Sequence, residues 1–160
     1  MTLLLECIIS ALLFTVSAIC LDMKDPLGVI SDYPPAIRQR CVELGLIEER
    51  KERFTARDLL RKGLAMVLFA FLFALVLKKV NGISTFLEGF RASYIIWLFI
   101  AWWDAFVVDC GWFCHSKKMQ IPGTEDMKEY KDYLFHIKQS LIGTALGLPV
   151  CLLTGLFVSL

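Results

Sequence analysis

The sequence predicts an all-α fold, an integral membrane four-helix bundle with an amphipathic cytoplasmic surface helix in its first long loop. Three observations predict it. Hydrophobic residues make up 57% of the 160-residue chain, against about 45–50% in an ordinary soluble domain, and mean hydropathy is +0.61. The excess is gathered in four blocks, each close to the about 20 apolar residues that a spanning helix needs. The two longest segments between blocks are polar and hold most of the Lys and Arg. A chain this short holds one membrane domain, 1–160, with spans at about 3–21, 57–80, 86–114 and 139–160 and cytoplasmic connections at about 22–56 and 115–138.

The first span starts near Leu3. A signal peptide carries a basic leading region, whereas this start has Glu6 and no base before Lys24, so the segment reads as a retained span. Glu6, Ser10 and Ser17 share one helix face. The simplest expectation for Glu6 is a place in the headgroup region. In the first connection, Tyr33-Pro34-Pro35 opens a helix, since proline is tolerated in a first turn. Ile37, Cys41, Leu44 and Ile47 follow at helical spacing among Arg38, Arg40, Glu43 and Glu48, the pattern of an amphipathic helix on a membrane surface. The run from Glu48 to Arg53, EERKER, reads as a solvated face.

Thr55 and Asp58 have capping-box spacing, so the second spanning helix starts near Ala56. Its uncharged core, Gly63 to Leu77, is flanked by Arg61, Lys62, Lys78 and Lys79, which can snorkel to the interfaces. Asn81-Gly82 ends it, with glycine in its usual place beyond a helix. Thr85 and Glu88 repeat the capping-box spacing and start the third span at Phe86. Run to Cys114, that helix is about 43 Å long at 1.5 Å per residue, so it must tilt or project beyond a hydrocarbon core of about 30 Å.

In the second connection, Ile121-Pro122-Gly123-Thr124 has the centre of a type II turn. Thr124 is expected to cap a short helix with Glu125 and Asp126 at its positive end, and Tyr130, Tyr133 and Phe135 suit the interface. The last span carries a small-residue face, Ser140, Gly143, Gly147, Cys151 and Thr154, in which Gly143-x-x-x-Gly147 permits close helix approach. Pro149 should kink it. Nine Lys/Arg fall in 22–62, three between spans two and three, and five in 116–138. The positive-inside rule then puts both long connections in the cytoplasm and both termini outside.

The third span carries the chemistry. Its sequence, RASYIIWLFIAWWDAFVVDCGWFCH over 91–115, holds Asp104 and Asp109 within apolar surroundings. An acid at membrane depth is costly and marks a candidate site. On a regular helix Asp104 and His115 lie about 20° apart, and Ser93, Trp97, Asp104, Val108, Gly111 and His115 share a face. Asp109 points about 140° away from Asp104. The ligand-binding candidates are therefore Asp104, Asp109, His115, Glu125 and His136. Cys110, Cys114 and His115 are the metal candidates, and a divalent metal is the cofactor such ligands would take, although no established ligand spacing is matched. The competing reading pairs Asp109 with Lys117 or Lys118 and leaves the cysteines lipid-facing or packed.

No nucleophile elbow, Walker loop, dinucleotide fingerprint or HExxH is present. With a net charge of +1 there is no field to recruit nucleic acid. The partners implied are the lipid bilayer and a further copy of the chain in a homo-oligomer.

The phrases DYPPAIRQR, DCGWFCHSKK and IPGTEDMKEY resemble those of small, uncharacterised four-span membrane proteins of Gram-positive bacteria. The resemblance covers most of the chain. It implies a bacterial cell membrane and supplies no catalytic residues. The expected role is binding of a polar ligand, a cation or lipid headgroup, at a cytoplasmic-side pocket, or service as a membrane subunit. A membrane enzyme with a carboxylate–histidine site, and an oligomeric channel or transporter subunit, are the alternatives.

Overall fold

The computed structural model describes residues 3–22, 24–48 and 55–160, without the side chains of residues 21, 22 and 58. The charged run EERKER is described only at Glu48, and the Asp58 half of the first capping box lies outside the described side chains. Among the described residues every regular element is helical: α1 (Leu3–Asp22), α2 (Pro35–Glu43), α3 (Ala56–Asn81), α4 (Phe86–Trp103) and α5 (Tyr133–Ser159), joined by short 3-10 turns. Four helical segments are long and apolar enough to cross a membrane: Leu3–Cys20, Leu59–Asn81, Phe86–His115 and Tyr133–Ser159. The protein is an all-α, multi-pass membrane protein.

Local signals set the boundaries. Thr85 and Glu88 form the capping box: the Glu88 amide donates to Thr85 Oγ1 at 3.4 Å and the Thr85 hydroxyl donates to Glu88 Oε2 at 2.8 Å. Helix α4 begins at the next residue, Phe86. Helix α2 stops in a Schellman motif, with Leu46 N donating to Cys41 O and Gly45 N to Val42 O while Gly45 takes φ +70°, a conformation glycine adopts without steric cost. Helix α5 begins at Tyr133, six residues before the expected span, because Asp132 Oδ1 accepts the Phe135 amide at 3.0 Å and caps it. Pro149 lies inside α5, which runs past it to Ser159.

The third span departs from regular geometry. Its α-helical part is 18 residues, about 27 Å. From Asp104 to Trp112 the chain is a π-helix, followed by a 3-10 turn at Phe113–His115. The expected face at 100° per residue therefore ends at Asp104, since i→i+5 bonding widens the turn and rotates each residue less. Val108 is buried while Gly111 and His115 are exposed.

The described residues form two compact units. The first comprises Met1–Ser10, Glu52–Ala101 and Ile142–Leu160. Its core gathers Cys7, Ala74, Leu77, Ala92, Ile96 and Val158. Helices α4 and α5 approach closely at Gly89 and Gly155, where a Cβ on Gly155 would stand 2.7 Å from Phe86 O. The expected small-residue face behaves differently along its length. A Cβ on Gly147 would overlap the Trp97 indole, whereas one on Gly143 would meet nothing. Trp97 Nε1 instead donates to Gly143 O at 3.0 Å. Glu6 is not left to the headgroups: it is buried, and its carboxylate accepts from Asn81 Nδ2 at 2.7 Å.

The second unit comprises Ala11–Lys51 and Trp102–Leu141. Its core, built from both long connections and the end of the third span, gathers Tyr33, Ile37, Cys41, Phe113, Met119, Ile121 and Tyr130. This changes the expectation for α2, whose apolar residues Ile37 and Cys41 are covered by protein rather than laid on lipid. Tyr130 likewise leaves the interface for the core. Around it the turn Ile121–Thr124 closes a ring of hydrogen bonds. Thr124 Oγ1 donates to Ile121 O at 2.8 Å, Ile121 N donates to Tyr130 Oη at 2.8 Å, and the two hydroxyls meet at 2.6 Å. A hydroxyl has one hydrogen, so Tyr130 donates to Thr124. Thr124 is thus buried as part of this ring and does not cap a helix. Gly123 takes φ +85°, as a type II turn requires.

Candidate functional site

The polar groups that meet in the second unit come from three separate stretches. The π-helix supplies Asp109, the first turn of α5 supplies His136, and the turn before α2 supplies Asp32. Asp109 Oδ2 lies 3.2 Å from His136 Nδ1, with the imidazole 2% exposed and the carboxylate 22%. The pairing assigns the Nδ1 hydrogen to Asp109, so a neutral ring carries its lone pair on Nε2. That Nε2 is buried and has no hydrogen-bond partner among the described residues. The ring is held by Phe113 and Phe135, whose edge contacts put ring centroids at 5.4 and 5.2 Å. Phe113 in turn packs edge-on to Tyr33 at 4.8 Å, and Tyr33 donates to Met119 O at 2.8 Å. The core of the two connections therefore fixes the imidazole.

Asp32 adds a second carboxyl within electrostatic range of this pair. Although its residue surface is exposed, atoms crowded around the carboxyl push its pKa up, and the nearby Asp109 charge adds to this; the Ser31 hydroxyl and the His136 ring pull the other way. The Ser31 hydroxyl stands 3.2 Å from Asp32 Oδ1. No lysine or arginine pairs with Asp32 or Asp109 among the described residues. The expected partners Lys117 and Lys118 are exposed elsewhere, and His136 takes their place at Asp109.

The structure brings together only part of the expected constellation. Asp109 and His136 meet. His115 is exposed and belongs to a different pair: its Nε2 lies 3.2 Å from the Tyr133 hydroxyl, with the rings stacked at 6.1 Å. Glu125 is exposed at the turn, where Oε2 accepts the Gly123 amide at 2.8 Å. Asp104 opens the π-helix, half-buried and engaged within the fold. Cys110 is half-buried and Cys114 buried, both as free thiols. Among the described residues no three of His, Cys, Asp or Glu are arranged to hold a metal ion, so Cys110, Cys114 and His115 do not form the expected grouping.

Asp32 has no signature in the sequence, because an acid beside a serine in a polar loop carries no periodic signal. Tyr133, the partner of His115, has the sequence signature of an interfacial ring only. Comparison with protein-family models, with curated proteins and with solved structures finds no match to this chain.

Proposed function

We propose that this multi-pass membrane protein binds a polar ligand, a cation or a lipid headgroup, with the Asp109–His136 pair at the centre of the site. A chain that crosses four times has the connections after its first and third crossings on one side. The nine basic residues in 22–62 and the five in 116–138, on and beside those connections, favour the cytoplasmic side. One observation carries the reading: a buried imidazole nitrogen with no partner, on a ring whose other nitrogen is committed to a carboxylate. Buried polar atoms are almost always hydrogen-bonded, and an exception calls for a ligand or a water. A donor or a cation seated on Nε2 would satisfy it, and Asp109 would keep the ring in the correct tautomer.

The same pair favours membrane catalysis as a second reading. A carboxylate that orients an imidazole with an open nitrogen is the base-and-orienter half of a nucleophilic site. Water or a substrate hydroxyl on Nε2 would give up its proton there.

Nitrogen NMR of histidine-labelled protein in phosphatidylcholine nanodiscs tests the binding reading. The chain has 2 histidines, and a His115→Gln variant assigns them. Phosphatidylglycerol, phosphatidylethanolamine, Mg²⁺ and Mn²⁺ are added in turn. The His136 Nε2 resonance should move with one of them, and the response should weaken in Asp109→Asn. A resonance indifferent to all four would end the binding proposal.

A further inference from the structure

We propose that the first unit holds a separate binding site, in which an alkali-metal cation is held by the Glu6 carboxylate and the Asn81 side-chain oxygen at the C-terminal end of α3. Glu6 is 8% exposed, which is far from the usual place of an unpaired acid. Its contact with a donor is the Asn81 Nδ2 group at 2.7 Å. The amide that gives this hydrogen bond must turn its oxygen another way. That oxygen, Asn81 Oδ1, is buried and has no donor among the described residues. The acid thus has one amide donor, and the oxygen of that same amide has none among the described residues.

The helix end sharpens the shortage. Asn81 is the last residue of α3, where the terminal carbonyls lack intrahelical donors and the macrodipole is negative. Gly82 N and Ile83 N satisfy the carbonyls of Lys78 and Leu77 at 3.2 and 3.4 Å, and a helix has no intrahelical donor for the carbonyls that follow. No basic side chain pairs with Glu6 among the described residues: Lys79 is exposed and Lys78 half-buried in the same turn, without an ion pair to it. A cation bound here would meet the negative end of the helix macrodipole as well as the carboxylate.

The donor set selects the class. Carboxylate, amide oxygen and backbone carbonyl are hard oxygen ligands. Calcium sites gather several carboxylates, whereas Glu6 offers a single negative charge, which a monovalent ion balances. Helix C-termini and free carbonyls in membrane proteins are suited to such ions. The buried Cys7 beside Glu6 packs in the apolar core and adds no oxygen.

The test is thermal unfolding of the full chain in phosphatidylcholine nanodiscs at constant ionic strength, with N-methyl-D-glucamine chloride replaced by NaCl, KCl or CaCl₂. At a concentration about 100-fold above the dissociation constant, NaCl or KCl should raise Tm by about 8 °C. Glu6→Gln should fold, because its amide oxygen can still accept from Asn81 Nδ2, and should lose the response; Asn81→Leu should weaken it. Broadening of the ²³Na resonance by wild-type protein and not by Glu6→Gln gives a second readout. Equal Tm in all salts, stabilisation by CaCl₂ alone, or an undiminished alkali response in Glu6→Gln would each overturn the proposal.

Discussion

Replacing Tyr130 with Phe removes one oxygen and leaves the ring in place. That oxygen accepts the buried Ile121 amide at 2.8 Å and meets Thr124 Oγ1 at 2.6 Å. The Thr124 hydroxyl keeps Ile121 O as its own acceptor at 2.8 Å, so its loss is small. The Ile121 N–H is left buried without an acceptor, which costs about 1–3 kcal/mol. Packing of the 4%-exposed ring is retained, so the cavity contribution stays small. A loss of about 2 kcal/mol is expected, with a fall in hydrogen-exchange protection at the Ile121 amide of about 30-fold. The assay is residue-resolved exchange in detergent, with chemical unfolding alongside. Unchanged protection at Ile121 would refute the hydrogen-bonded ring, whatever happened to global stability. Alkaline pH gives an independent check. Burial pushes the Tyr130 pKa up, against the pull of its Thr124 and Ile121 hydrogen bonds. The folded state therefore holds this proton after the unfolded state has released it, so stability falls as pH rises above about 10. The Phe variant should lack that part of the decline.

The other predictions concern the site, the helix crossings and the topology. Asp32 has a raised pKa, mainly from burial and then from Asp109, so its ionised form opposes folding at neutral pH. Asp32→Asn should raise Tm at pH 7, with the gain shrinking on acidification and gone below about pH 3.9; a gain independent of pH would contradict it. Gly155→Ala places a Cβ 2.7 Å from Phe86 O and should cost about 1–3 kcal/mol. Gly143→Ala, which meets nothing within 4 Å, should be neutral or stabilising by up to about 1 kcal/mol; equal Tm changes for the two would remove the close crossing. Gly147→Leu drives a branched chain into the Trp97 indole and should lower Tm, and an unchanged melting curve would count against that contact. A reporter fused after Leu160 should be active outside the cytoplasm, and strong cytoplasmic activity would reverse the proposed orientation.

Much of the fold was legible because hydropathy and capping are local. The start of α4 follows from Thr85 and Glu88, and the end of α3 from Asn81-Gly82, with no reference to the rest of the chain. The π-helix at Asp104–Trp112 was not legible, because apolar residues on every side of a membrane helix leave no period from which to read the turn. That widening undid the predicted Asp104–His115 face. The site was half legible. Asp109 and His136 each stood out as unusual residues in their surroundings, but their pairing depends on packing around Phe113 and Phe135. Asp32 gave no sign of itself, since its chemistry comes from neighbours distant in sequence. The Gly89–Gly155 crossing was hidden for the same reason: one glycine lies on each helix, and a repeat within one helix drew attention to Gly143 and Gly147 instead.

The polar ties of this fold close in a strict order as the chain is made. Glu6 emerges 75 residues before Asn81, an interval of about 4–15 s at ordinary rates of synthesis. Through that interval the acid of the first span has no Asn81 to meet, and it must be carried by water, headgroups or the insertion machinery. Thr15 waits for Trp103, 88 residues later, and Tyr33 waits for Met119, 86 residues later. Asp109 cannot pair until His136 exists, when every apolar residue of the first three spans has already been synthesised. Three of the four greasy segments are thus made before His136, so a ribosome stalled between the third span and codon 136 leaves a membrane-bound chain without the candidate pair.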